Sequence, residues 1–316
     1  MRRLTPARCA RSSAGFTLIE IAVVIVVLSL LLAMFAGLGT AMLGQQRREA
    51  TRQRLAGVET ALALFVSQNQ RLPCPADGTR AGTDASAGVE QITTTPGLPS
   101  TCNGNQINGV VPWRALGLSE QDATDGWGNR LTYRVHPDLV TTPAMNFTFC
   151  DPGGTGSFVP FQPASPAGYC DATCASATFP TSCTRPSAVT DNKGLRVCNI
   201  GGVVVMNPAP GVAFTSGNCS YAVVTPTPPP TGAAYLVISH GENGEGAFNN
   251  QGVVQGASST ASGTEEAKNA ANLVLGTYFV DDFPSYPAGT GHFDDFVLRP
   301  SILTVVTKAQ LGPRAH

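Results

Sequence analysis

The sequence predicts an α+β fold in which one long N-terminal helix precedes a β-rich domain, and three observations predict it. Residues Ile21 to Leu43 carry no charge. Beyond them Leu55, Val58, Leu62 and Phe65 recur in steps of three and four, the single apolar stripe of a helix that packs along one side. The chain holds 34 glycines and 24 prolines with only 13% charged residues, a composition of loops and strands rather than helices.

The charge-free run is long enough to cross a bilayer as a helix. Before it stand Arg2, Arg3, Arg8 and Arg11 with no acid, so this leader stays cytoplasmic while the run crosses the membrane and everything after Leu43 lies outside. Arg47, Arg48, Arg52 and Arg54 follow on the far side, matching the leader's count; they suit a solvated helix face, headgroup contact or salt bridges between subunits. The helix continues to Asn69, half in the membrane and half on the domain. Pro73 closes it, because the residue before a proline is biased away from helical angles. Gly37, Gly39 and Gly44 are the points where it can melt locally.

The leader ends in Gly15-Phe16-Thr17-Leu18-Ile19-Glu20. This string resembles the cleavage segment of the type IV prepilins and of the pseudopilins of type II secretion. The resemblance implies that a membrane prepilin peptidase cuts between Gly15 and Phe16 and methylates the new amine of Phe16. It also implies a pilin-like fold, with residues 1–15 as leader, 16–70 as stem helix (transmembrane over about 16–43) and 71–316 as a globular β-rich domain on an antiparallel sheet. An ordinary secretory signal differs, since its apolar stretch is removed with the leader. Glu20 is the physical oddity, because a carboxylate inside a membrane helix costs about 2.5–3.5 kcal/mol on insertion scales. Either it lies shallow enough to reach the headgroups or, as the resemblance implies, it pairs with the terminal amine of a neighbouring subunit and sets assembly register.

Charge and cysteine usage narrow the partners and the compartment. Taking the leader's four arginines from a net charge of −1 leaves the processed chain at −5, which argues against a nucleic-acid partner. Cys9 leaves with the leader. The remaining eight (Cys74, Cys102, Cys150, Cys170, Cys174, Cys183, Cys198 and Cys219) form an even set suited to as many as four disulfides in an oxidising compartment, with pairing left open among 105 connectivities. Zinc at Cys170, Cys174, Cys183 and Cys198 is the competing reading, and no histidine lies among them.

Along the domain, a Gly/Thr/Ser-rich loop runs to about Asn108. Asp125-Gly126-Trp127-Gly128 then turns into a strand whose Leu131, Tyr133 and Val135 face inward, with Trp127 as a core anchor. Further strands are expected at Phe147–Cys150, Val203–Met206, Tyr221–Val224, Ala234–Ile238 and Phe296–Leu298. Residues 151–199, with four cysteines and little periodicity, read as a disulfide-rich insertion.

Ser239-His240 is the one pair that suggests catalysis. Neighbours at a strand end point to opposite faces, so they do not form a nucleophile and base, and the glycines after them do not lead into a phosphate-binding helix. The expectation is a protein that is not an enzyme. By resemblance to major pseudopilins, the loop Ser239-His240-Gly241-Glu242-Asn243-Gly244 and the pair Asp294-Asp295 imply a calcium site with Ser239, Asn243, Asp294 and Asp295 as ligands; a plain glycine turn with solvated acids fits the same residues.

The function implied is structural: a minor pilin or pseudopilin subunit, single-pass in a bacterial inner membrane with its domain in the periplasm. Other subunits and prepilin peptidase would be its partners, and it would enter a type IV pilus or secretion pseudopilus. A tip adhesin or cargo binder using the insertion, or an anchored domain that never polymerises, are the alternatives.

Overall fold

The computed structural model describes residues 17–94, 101–102, 106–148, 193–208, 213–222, 232–256, 265–271, 276–285 and 292–312, without the side chains of 33–41. Gly15, Phe16, Cys150, Cys170, Cys174, Cys183 and most of the predicted insertion lie outside these residues. The chain divides into two compact units, Met1–Gln46 and Arg47–His316.

The first helix, α1, spans Leu18–Asn69. In the first unit every described side chain from Thr17 to Leu32 is exposed. Among the described residues no helix is long and apolar enough to cross a membrane. The span predicted over about 16–43 includes residue 16 and the side chains of 33–41, which lie outside that set.

In the second unit α1 buries one side. Leu55, Val58, Leu62 and Phe65 are at most 9% exposed, and Thr51 and Val66 extend the same stripe at 0%. The helix stops because Gln70 takes a left-handed φ of 56° while its N–H still bonds to the Val66 carbonyl at 2.7 Å. Leu72 then donates to the Leu139 carbonyl, which fixes the exit of the chain ahead of Pro73.

Five strands form the central sheet: β1 (Ala76–Asp77), β2 (Gly109–Val110), β3 (Thr132–Val135), β4 (Tyr235–Ser239) and β5 (Phe296–Leu298). They neighbour one another in chain order, and each pair is antiparallel. In register, Val237 faces Tyr133 on one side and Leu298 on the other. A short helix, α2 (Ile302–Lys308), follows β5, with Ser301 as its N-cap accepting from the Thr304 N–H.

The expected alternation along β3 is only half of what its side chains do. Tyr133 and Val135 join α1, α2, Val110, Tyr235 and Val237 in one core, yet Thr132 and Arg134 on the opposite face are equally buried. A second layer covers that face. Leu236 and Ile238 of β4 pack there against Leu195, Val197, Met206 and Phe279. The layer contains a three-stranded sheet in which Val197–Cys198 pairs parallel with Phe279–Val280 and antiparallel with Val204–Met206. Residues 195–198, read as the end of the insertion, are therefore part of the folded framework.

Other expectations shift for local reasons. Phe147 and Thr148 form no strand; Phe147 donates to the Leu311 carbonyl and fills the core instead. Of the strand expected at Tyr221–Val224, residues 223 and 224 lie outside the described set; Tyr221 ends a strand over Cys219–Tyr221, paired with Phe214–Ser216 across a turn at Gly217. Trp127 is half-buried over Phe296, 6.1 Å between ring centroids, and it is Trp113 that is buried, beneath the Arg130 guanidinium. Arg54 is half-buried and donates within the domain, to the carbonyls of Thr124 and Asp125 at 3.0 and 2.7 Å. Gly126 lets that turn approach α1: a Cβ there would run into the Arg47 backbone, and its N–H donates to Thr51 Oγ1 at 2.9 Å.

Two disulfides lie among the described residues, Cys74–Cys102 and Cys198–Cys219, with Cα atoms 5.4 and 6.0 Å apart. Peptide mapping without reductant is expected to recover these two pairs, and a different partner for Cys74 or Cys198 would refute the arrangement. Leu62→Ala is expected to destabilise the domain by about 2–5 kcal/mol, the cost of a cavity in a closed core. Denaturant unfolding of the full chain in detergent reads this directly, and a change under about 1 kcal/mol would place Leu62 outside the core.

Candidate functional site

Two places in the chain gather chemistry, and the first is built where β4 and β5 meet the turn before β3. Asp125 organises that turn, its Oδ1 accepting from the N–H groups of Trp127 and Asn129, both at 2.9 Å. Its Oδ2 accepts from the Ser239 hydroxyl at 2.8 Å, tying the end of β4 to the turn. Burial pushes the Asp125 carboxyl above its ordinary pKa, against these hydrogen bonds.

His240 follows on the opposite face and is fully buried. Its Nε2 lies 2.8 Å from Thr132 Oγ1, and its Nδ1 lies 3.6 Å from Asp295 Oδ1. Hydroxyl, imidazole and carboxylate thus stand in a row, but none of the three residues is more than 3% exposed, so the row offers no face to a substrate. Burial, and then the charge of Arg134, depress the imidazole to about 3, so it is neutral at any physiological pH. Asp295 is pushed well above the carboxylate range, first by burial and then by Glu266. Its Oδ2 accepts from Asn269 Nδ2 at 2.7 Å.

The next residues wrap a second carboxylate. Gly241, at φ +59°, sits where a Cβ would collide with Asp294, so the loop closes only with glycine there. The N–H groups of Glu242 and Asn243 then both donate to Asp294 Oδ2, at 2.7 and 3.1 Å. Glu266, on a 3-10 turn spanning Glu266–Asn269, accepts from the Asp294 N–H at 3.3 Å and from the Asn243 side-chain amide at 3.3 and 3.4 Å. His292 Nε2 lies 3.6 Å from Asp294 Oδ2. One ligand-capable atom each from Glu266, His292 and Asp294 falls within 4.8 Å of the others. Burial and then contact with Asp294 raise the Glu266 carboxyl to about 7.

The four residues predicted as calcium ligands are therefore distributed. Asp294 lies in the three-residue group and Asn243 borders it through its amide, while Ser239 engages Asp125 and Asp295 engages Asn269. Sequence reasoning missed Glu266 and His292. For His292 a signal existed: two residues before Asp294 in an extended segment, it shares that residue's face.

The second place is the start of α1. Thr17 donates to Glu20 Oε2 from both its N–H and its hydroxyl, at 2.9 Å each, so Glu20 folds back over the first turn. Comparison with protein families matches residues 10–36 to the prokaryotic N-terminal methylation motif. The chain carries a type IV prepilin-like signal. That signal implies processing by prepilin peptidase, an N-terminus anchored in the membrane, and assembly with other pilins in general. No curated protein and no solved structure matches the chain.

The buried carboxyl makes stability depend on pH with a definite sign. Because the folded-state pKa of Glu266, about 7, is raised above its ordinary 4.5, its protonation favours the folded state. The contribution is full below about 4.5 and is lost as pH rises through about 7. In chelator, the wild-type melting temperature is expected to fall over this window relative to Glu266→Gln, and parallel curves would refute the shift.

Proposed function

We propose that this protein is a minor pilin or pseudopilin that enters a type IV pilus or a type II secretion pseudopilus through its N-terminal helix. The observation that carries the reading is the prepilin-like signal joined directly to a helix whose described apolar residues, from Leu18 to Leu32, are all exposed. Apolar surface gains about 25 cal/mol per Å² when removed from water, so such a helix demands a cover. A bilayer supplies it before assembly and the helices of other subunits supply it afterwards. A domain of roughly 245 residues is large for a shaft repeat, which favours low copy number.

Processing would cut after Gly15 and leave the methylated amine of Phe16 close to Glu20. In a filament the carboxylate of Glu20 then meets the terminal amine of the next subunit in a low-dielectric bundle, where an unpaired charge costs several kcal/mol. A bare anchor makes no such demand. The role is structural rather than catalytic, in keeping with the sealed row Thr132, His240 and Asp295.

Glu20→Val separates filament subunit from anchor. The variant is expected to be exported and cleaved after Gly15 yet absent from sheared filaments, with recovery down by about tenfold or more, since 1.4 kcal/mol already shifts an equilibrium tenfold. Recovery at the wild-type level would remove assembly register from the account of Glu20.

A further inference from the structure

We propose that Glu266, His292 and Asp294 form a binding site for a divalent transition-metal ion of the zinc class. The proposal is independent of the filament role, and the donor set differs from the oxygen-only calcium site that the resemblance implies.

Glu266 and Asp294 are only 6% and 3% exposed and are in direct contact, and Asp295 beside them is 3% exposed. Among the described residues, no lysine or arginine is ion-paired with any of the three carboxylates, whose ion-pair contacts are with the imidazoles of His240 and His292. Buried charge of one sign is expensive unless a proton or a cation balances it. Asp294 Oδ1 adds a second, independent sign: it is buried with no hydrogen-bond partner among the described residues, although Oδ2 of the same group accepts two N–H bonds. Buried oxygens of this kind call for an explanation, and an ion is one.

The group also has the support that metal ligands require. Backbone N–H groups of Glu242 and Asn243 orient Asp294, and the amide of Asn243 orients Glu266. Such outer contacts set ligand direction. The imidazole decides the class of ion. Calcium and magnesium take oxygen ligands, whereas nitrogen with carboxylate oxygen suits zinc and its neighbours. Three protein ligands leave a position for water. The ion would fasten two segments, the 3-10 turn at Glu266 and the stretch from His292 to Asp294 that leads into β5, the second of which the loop after β4 already holds through Asp294.

The test uses the full-length chain in detergent, stripped with chelator and dialysed, then titrated at pH 7.5 with Zn²⁺, Mn²⁺ or Ca²⁺ in parallel calorimetry and melting experiments. One equivalent of Zn²⁺ is expected to bind and to raise the melting temperature. His292→Ala, at a partly exposed position, is expected to keep the melting temperature of the stripped protein and to bind Zn²⁺ about tenfold or more weakly. Glu266→Gln is expected to melt higher than wild type when stripped, its repulsion relieved, and to gain nothing from Zn²⁺. Three results would each overturn the proposal: no saturable Zn²⁺ binding, wild-type Zn²⁺ affinity in His292→Ala, or stabilisation by Ca²⁺ that exceeds that by Zn²⁺ at equal concentration.

Discussion

A central sheet covered on both faces leaves no water for the polar groups it carries, and the rest of the domain is arranged around that constraint. Thr132 and Arg134 of β3 project away from the helical core into the second layer, where each must find a partner inside the protein. Arg134 donates to the carbonyls of Gln106, Ala270 and Ala271, and Thr132 meets the ring of His240. Those partners lie in loops between strands, so satisfying the sheet also fixes the loops. The carboxylate cluster beside β4 and β5 follows from the same cause. It stands at the margin of the second layer, where Asn269 ties Asp295 to Val280.

What could be read from the sequence was what repeats along an element. The stripe from Leu55 to Phe65 gave the packed side of α1, because helical periodicity and burial are one signal. Phe296–Leu298 and most of Tyr235–Ser239 were legible as apolar runs. Of the second layer only one strand was, expected at Val203–Met206 and found at Val204–Met206. Its other two strands are two residues long, too short to show a period, and nothing local announces that Val197 pairs with Phe279. Trp127 misled because a large aromatic beside a turn reads as an anchor, whereas the hydrogen bonds of Asp125 hold the turn and leave the ring half-buried.

The candidate site divided along the same line. Asp294 and the loop after β4 were visible, since glycines at positive φ and paired acids are local signatures. Glu266 was not, because only the tertiary fold carries its 3-10 turn to Asp294. At the N-terminus the case is reversed: the motif at residues 10–36 is legible in full from sequence, because it is a linear signal that needs no tertiary contact to be recognised.

The chain-order neighbours of the central sheet also set a condition on how the protein comes to be folded. Val135 pairs with Tyr235, and Val237 with Leu298, so each inner strand waits for a long intervening segment before it gains its partner. Closing such loops costs entropy that no local contact repays in advance, which makes the pairing slow. The last helix adds to this. Ile302, Val305 and Val306 complete the same core that Leu55, Val58 and Leu62 begin. No N-terminal portion therefore has a finished interior, and a chain synthesised in order carries an uncovered helical stripe and open strand edges until Ile302–Lys308 has been made. Protection of that interval, by a chaperone or by rapid completion of the chain, is as much a requirement of this architecture as any contact within it.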